Sequence, residues 1–261
     1  GESDGVRYTA EEAFEMNGTY EIGQRLGVGV RSFSKDELVP VEHRHLDGWP
    51  LPKSLLECDV FLPIAKIKTH ATTTFTGVLK NQWGAIPQHD RIILHKYLHT
   101  LIGEVNEILR PALAITDGLV GMEGRGPING SPVRLNVVAG SRDPVALDAA
   151  LMRFVGLDPT EAKHIVHAAR IGLGNIEAER IAVDADTEAV QEFEAAEKDW
   201  PILMLNLISR SRFLTKHILL NDIVFYPARR FANICRWIKG RFVGSGRQRA
   251  HRDHTEERAN P

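Results

Sequence analysis

Lysines, a histidine and an asparagine crowd into one short stretch of this chain, Lys66-Ile-Lys68-Thr-His70 and then Thr76-Gly-Val-Leu-Lys80-Asn81. Lys66, Lys68, Lys80 and Asn81 can each hold an anion, and they fall within 16 residues. Lys66 and Lys68 share one side of an extended strand, because side chains alternate with period two. Such lysines can pair with phosphate or carboxylate, or act as acid–base groups when loss of water lowers their pKa. His70 adds an imidazole able to move a proton or ligate a metal. The bland alternative is a charged strand end facing solvent.

A second set surrounds a glycine-rich loop, Gly121-Met-Glu123-Gly124-Arg-Gly126-Pro-Ile-Asn-Gly130, preceded by Asp117. Glycines allow close backbone approach, so Gly121, Gly124, Gly126 and Gly130 could turn successive N–H groups toward an anion. The spacing is neither a Walker loop nor a dinucleotide fingerprint, and a surface turn fits it equally. Asp117 and Glu123 could bind a hard cation or serve as general acid and base. His95 and His99 lie four apart, but Lys96 stands where a His-Glu-x-x-His site needs Glu. His70, His95 and Glu123 are the candidate metal ligands. His164 and His167 read as capping or lining a surface, Asp143 as a helix N-cap, and Asp148 as favouring the helix dipole. No Gly-x-Ser-x-Gly elbow occurs, and Cys58 lies in an apolar run, so no Ser or Cys nucleophile stands out.

The elements that would carry these groups can be read in order. Thr9 with Glu12 resembles a capping box on a helix Thr9–Asn17, and Leu26–Phe33 reads as a strand. Cys58–Ile67 and Ala112–Thr116 read as buried strands, the second ending at Asp117-Gly118. Leu94, Leu98, Leu101, Val105 and Ile108 predict a helix over Arg91–Leu109. Val133–Ala139 reads as a strand. Asp143-Pro144 starts a helix over Ala146–Val155, stopped by Gly156, and Thr160–Ile171 is another. Ile181–Val183 could be a last strand and Glu188–Lys198 an acidic helix. Strands alternating with helices predict an α/β fold, a mostly parallel sheet flanked by helices, with a C-terminal helical basic tail.

The chain has 261 residues, a net charge of −2 and 43% hydrophobic residues, which excludes disorder and fibrous repeats. Two cysteines, Cys58 and Cys235, cannot supply the thiolates of an iron–sulfur or cysteine-rich zinc site, and they fit a reducing, cytoplasmic setting. No apolar run reaches the ~20 residues of a membrane span. No signal peptide and no initiator Met open the sequence, so the numbering is expected to start inside a longer gene product. Residues 1–201 hold 20 Lys+Arg against 30 Asp+Glu, whereas 202–243 hold eight basic residues and one acid. The expected division is an α/β domain over 1–200, a basic amphipathic helical segment over 201–243 and a disordered end over 244–261. Basic residues interleaved with Phe213, Leu214, Ile218, Phe225, Trp237 and Ile238 suit either an interfacial membrane helix or a helical hairpin on the acidic body. The acidic body argues against nucleic acid.

Taken in order, the motifs resemble a family defined only as domain of unknown function 362. They are Lys66-Ile-Lys68-Thr-His70, Thr76-Gly-x-Leu-Lys80-Asn81-x-x-Gly84, Leu94-His95, Asp117-Gly-x-x-Gly121-Met-Glu123-Gly-x-Gly126-Pro127-x-x-Gly130 and Asp143-Pro-Val-Ala-Leu-Asp148. The resemblance runs from about Gly1 to Gly174. It implies an α/β domain often encoded with ferredoxin-type iron–sulfur modules, hence a redox or metal-linked activity and a ferredoxin-type partner. An N-terminal strand–helix segment with a Lys-Pro-Asn motif, usual in that family, is not in this sequence. Nor are the iron–sulfur cysteines, so this chain would bind no such cluster itself. The leading expectation is an enzyme acting on a small anionic molecule, with or without a divalent metal. His70, Lys80, Asp117 and Glu123 would be catalytic, while Lys66, Lys68, Asn81 and the loop glycines bind. The rival is a non-catalytic module docking to a membrane or protein through 202–243.

Overall fold

Local signals account for the first elements. Thr9 and Glu12 cap each other's backbone N–H at the head of α1 (Ala10–Met16), as the capping box predicts. α2 (Thr19–Leu26) follows. The expected strand over 26–33 does not form, because Leu26 still belongs to α2. A parallel bridge between Glu2 and Ser32 is what pairs there. β1 (Leu38–Pro40) and β2 (Pro50–Pro52) make a small antiparallel pair, and α3 (Lys53–Leu56) leads toward the main sheet. The structure, a computed structural model, describes residues 1–5, 8–87, 89–127, 130–184, 192–196, 203–204 and 207–219.

The central sheet has the order β4-β3-β5-β6, from β3 (Ile64–His70), β4 (Thr74–Thr76), β5 (Ala114–Glu123) and β6 (Ser131–Ser141). β3 and β5 run parallel, but β3–β4 and β5–β6 are antiparallel. An α/β fold is thus present, with a mixed sheet in place of a mostly parallel one. The reason is two hairpins. β4 folds straight back on β3, and β5 continues through Asp117 and Gly118 to Glu123, paired with β6 from Ala114↔Ser141 to Glu123↔Ser131. The first three residues of the supposed glycine loop, Gly121 to Glu123, are therefore strand. Along β3, Ala65, Ile67 and Thr69 are buried, while Ile64 and Lys66 are exposed and Lys68 and His70 half-buried. This alternation places Lys68 and His70 on the face of the strand opposite Ala65, Ile67 and Thr69.

α4 (Val78–Asn81), α5 (Leu98–Ile108), α6 (Pro144–Phe154) and α7 (Lys163–Arg170) supply the rest of the core. Phe75, Leu79, Ile86, Leu101, Met152 and Ile165 are among its fully buried side chains. The expected helix over 91–109 divides: His89–Tyr97 winds as a 3-10 stretch, and α5 begins at Leu98. Asp143 accepts the Ala146 N–H at 2.8 Å, with Pro144 in the first turn of α6, as predicted. No strand forms at 181–183, and 192–196 have no regular structure; the other residues of the expected helix 188–198 lie outside the described residues, Lys198 with them. Cys58 is exposed, not buried in a strand. Buried Glu104 ties down the connection between β1 and β2: its carboxylate accepts from the His45 N–H at 3.2 Å and meets His45 Nδ1 at 2.7 Å.

The chain divides into two compact units, Gly1–Asn206 and Leu207–Pro261. In the second, the described residues include a helical turn at Arg212–Leu214 and a π-type turn at Thr215–Leu219. The Thr215 hydroxyl hydrogen-bonds the Ser211 carbonyl at 2.8 Å. Leu207, Phe213 and Leu214 are exposed. Most of the basic segment, and the end 244–261, lie outside the described residues. Among those described, no helix is long and apolar enough to cross a membrane.

The described start of the remaining loop, Gly124 to Pro127, is seated on β3. The Thr69 hydroxyl donates to the Gly124 carbonyl at 3.0 Å, and a methyl on Gly126 would come within 2.0 Å of the Thr69 carbonyl oxygen. Gly126→Ala is expected to push the loop off β3 and cost about 1–3 kcal/mol. Thermal melting reads this directly, and an unchanged Tm would show that the loop does not depend on that contact.

Candidate functional site

Cationic and imidazole side chains from four separate segments meet beside β3. β3 supplies Lys68 and His70, α4 supplies Lys80, the 3-10 stretch supplies Arg91 and His95, and His99 opens α5. All six are half-buried, and His164 of α7 is fully buried. The His99 and His164 rings stack at 6.3 Å, and the Trp83 ring meets His95 edge-on at 6.0 Å.

Lys80 is the electrostatic centre. Loss of water, then the Arg91 and Lys68 charges, push its pKa down to about 7. Desolvation followed by Lys80, His95, Lys68 and His99 lowers His70 to about 3. His95 falls to about 4 through desolvation, Lys80 and Arg91. Burial also lowers Lys68 and Arg91, with Glu2 opposing the shift in both. At neutral pH both imidazoles are uncharged and Lys80 is balanced between its forms. His70 Nδ1 accepts the Thr72 N–H at 3.0 Å and the Thr73 N–H at 3.3 Å, which assigns its proton to Nε2. His70 is therefore a hydrogen-bond donor. Arg91 is steadied by the carbonyls of Ile86 at 2.8 Å and Asp4 at 3.4 Å.

The turn that presents Lys80 is clamped from behind. Asp148, fully buried in α6, accepts the Val78 N–H on Oδ1 at 2.8 Å and the Leu79 N–H on Oδ2 at 3.0 Å. Burial raises the Asp148 carboxyl to about 7, against the lowering effect of those two bonds. Asn106 Nδ2 donates to the Leu79 carbonyl at 3.0 Å, and Gln82 Nε2 donates to Asn106 Oδ1 at 2.6 Å.

The other expected residues sit apart from this cluster. Lys66 Nζ pairs with Asp117 Oδ2 at 2.7 Å, and that bond holds the Asp117 carboxyl below its usual range. Asn81 Nδ2 reaches the Ile64 carbonyl at 3.4 Å. Glu123 Oε2 accepts the Glu194 N–H at 2.9 Å. Gly121 lies within β5, and the Gly124 and Gly126 N–H groups are spent on the carbonyls of Glu194 and Gly124, so those two do not form an open anion nest. Gly130, just before β6, would place a methyl 2.2 Å from the Glu123 carbonyl oxygen. Among the described residues, no three His, Cys, Asp or Glu side chains come together closely enough to hold a metal ion. His70 and His95 interact, but Glu123 is engaged elsewhere. A separate cavity of about 530 Å³ is lined by residues including Arg170, Asn175, Glu177 and Arg180, none of them in the cluster.

Sequence reasoning brought Lys68, His70, Lys80 and His95 together and missed Arg91, His164 and Asp148. His164 was expected at a surface and is fully buried. Asp148 carried one usable signal. Its neighbours Val145, Ala146, Leu147, Ala149, Leu151 and Met152 leave no polar face for an acid, so its side chain had to find partners inside.

A family model described as "Domain of unknown function (DUF362)" matches residues 1–153. Over 178 residues the chain is 30% identical to the thylakoid-associated protein sll1697 of Synechocystis, covering 66% of this chain and 55% of that protein. The chain thus spans about half the length of this curated relative. No solved structure matches it. The motifs around Lys80 lie inside the matched residues, and on that match the chain belongs to the DUF362 family.

Proposed function

We propose that the chain binds a small, doubly charged oxyanion at Lys68, Lys80 and Arg91, and acts on it as an enzyme. His70 and Lys80 would donate or take up its protons. The observation that supports this is the state of Lys80: a desolvated amine flanked by two further cations, with no acceptor paired to it among the described residues. Such a group is costly without a counter-charge, and an incoming anion supplies one. Neutral His70 would add an N–H donor without adding charge. A metal held by His70 and His95 would face three neighbouring cations, so Coulomb repulsion disfavours it against an anion. The rival, a binding module without catalysis, uses the same pocket chemistry but needs no proton transfer.

Sulfate is the useful probe, because its charge stays constant near neutrality. Its affinity, measured by calorimetry from about pH 6 to about pH 9, is expected to fall by up to tenfold per pH unit above the Lys80 pKa of about 7. His70 and His95 are already neutral there and contribute no slope. Lys80→Met should bind weakly and lose the pH dependence. Flat affinity, or an unchanged slope in Lys80→Met, would remove Lys80 from the site.

A second reading concerns location. The relative is described as thylakoid-associated, and residues 202–243 carry eight basic residues against one acid. Leu207, Phe213 and Leu214 are exposed within that stretch. Apolar side chains among basic ones suit the surface of an anionic membrane, each cation contributing about 1 kcal/mol. The full chain is expected to float with vesicles containing anionic lipid and not with neutral ones, and Phe213→Asp with Leu214→Asp should reduce flotation. Equal behaviour on both vesicle types would sink the membrane reading.

A further inference from the structure

We propose that Asp148 is the positioning residue of the oxyanion site, fixing Lys80 in place through the backbone of the turn 77–81 without touching the ligand. This rests on the reading of Lys80 as an anion-binding group. α4 is four residues long, far too short to hold its own geometry, so something outside it must fix where Lys80 points. Asp148 does this with both oxygens, one for the Val78 N–H and one for the Leu79 N–H, two groups that the short helix leaves unpaired. Lys80 follows immediately in sequence. Asn106 holds the same turn by the Leu79 carbonyl, so the peptide units leading into Lys80 are gripped at both polarities.

Gly77 shows how closely the carboxylate is seated. A Cβ on Gly77 would come within 2.1 Å of Asp148 Oδ1 and 2.8 Å of a Phe75 ring carbon. Any side chain there must displace the carboxylate, the ring or the turn. Asp148 reaches the turn through two backbone N–H groups, so the influence proposed for it runs through position.

A positional role gives the test its sign. Removing a nearby negative charge would make an ammonium more acidic, whereas releasing the Lys80 turn into water would make it less acidic. Lysines can be labelled by reductive 13C-methylation and titrated by NMR in the ligand-free full chain, with the Lys80 signal identified by its loss in Lys80→Arg. In Asp148→Asn, one N–H acceptor is replaced by an opposing NH2. Lys80 is expected to become at least about tenfold less acidic, and sulfate binding about tenfold weaker. Gly77→Ala, which displaces the carboxylate and keeps its charge, should give the same direction and decides the matter if Asp148→Asn does not fold. A Lys80 titration that is unchanged or moves the other way overturns the proposal. If the unaltered chain binds no sulfate, the oxyanion reading fails, and the Lys80 titration still judges Asp148.

Discussion

An ammonium stripped of water and surrounded by other cations holds its position only if the backbone beneath it is fixed by something else. Around Lys80 that support is a two-point hydrogen bond from buried Asp148 and a third contact from Asn106. Asp148 comes from α6, Asn106 from α5, and the turn they grip follows β4. Three distant parts of the chain must therefore dock before the site exists. The core explains why they do: Leu79 and Phe75 beside the turn, Leu101 and Ile102 on α5 and Met152 on α6 are all fully buried. Apolar burial brings the elements together, and the polar clamp sets the angle at which Lys80 leaves them.

The mixed sheet serves the same end. A tight return from β3 into β4 places Lys68 opposite Thr76 and His70 opposite Thr74, so the turn bearing Lys80 begins right beside the strand bearing Lys68 and His70. A parallel neighbour at that edge would have needed a long crossover and moved the next segment away. The Thr72 and Thr73 amides that close this return also fix the proton of His70. One short hairpin thus sets both the spacing of the cations and the donor state of the imidazole.

Much of the local structure was legible because it is governed by neighbours in sequence. The Thr9–Glu12 cap, the Asp143-Pro144 start and the alternation along β3 each involve residues a few positions apart. Strand direction and strand length were not legible for the same reason. Gly118 and Gly121 punctuate the sequence like a turn, yet pairing with β6 carries β5 through both of them. Within the site, Lys68, His70 and Lys80 stood out as anion-holding and proton-moving groups close together in sequence. Asp117 and Glu123 stood out too, but Lys66 and the Glu194 amide occupy them.

By itself the sequence determined the α/β character, the capped helices and the concentration of cationic and imidazole groups near β3, since composition and short-range periodicity specify these. Only the tertiary structure decided which of those groups meet. It separated Lys66 from Lys68 by giving one a carboxylate partner, brought in Arg91 and His164, and put Asp148 behind Lys80. The physical reason is that charge state and pairing depend on distance and burial, which long-range packing sets and sequence spacing does not encode.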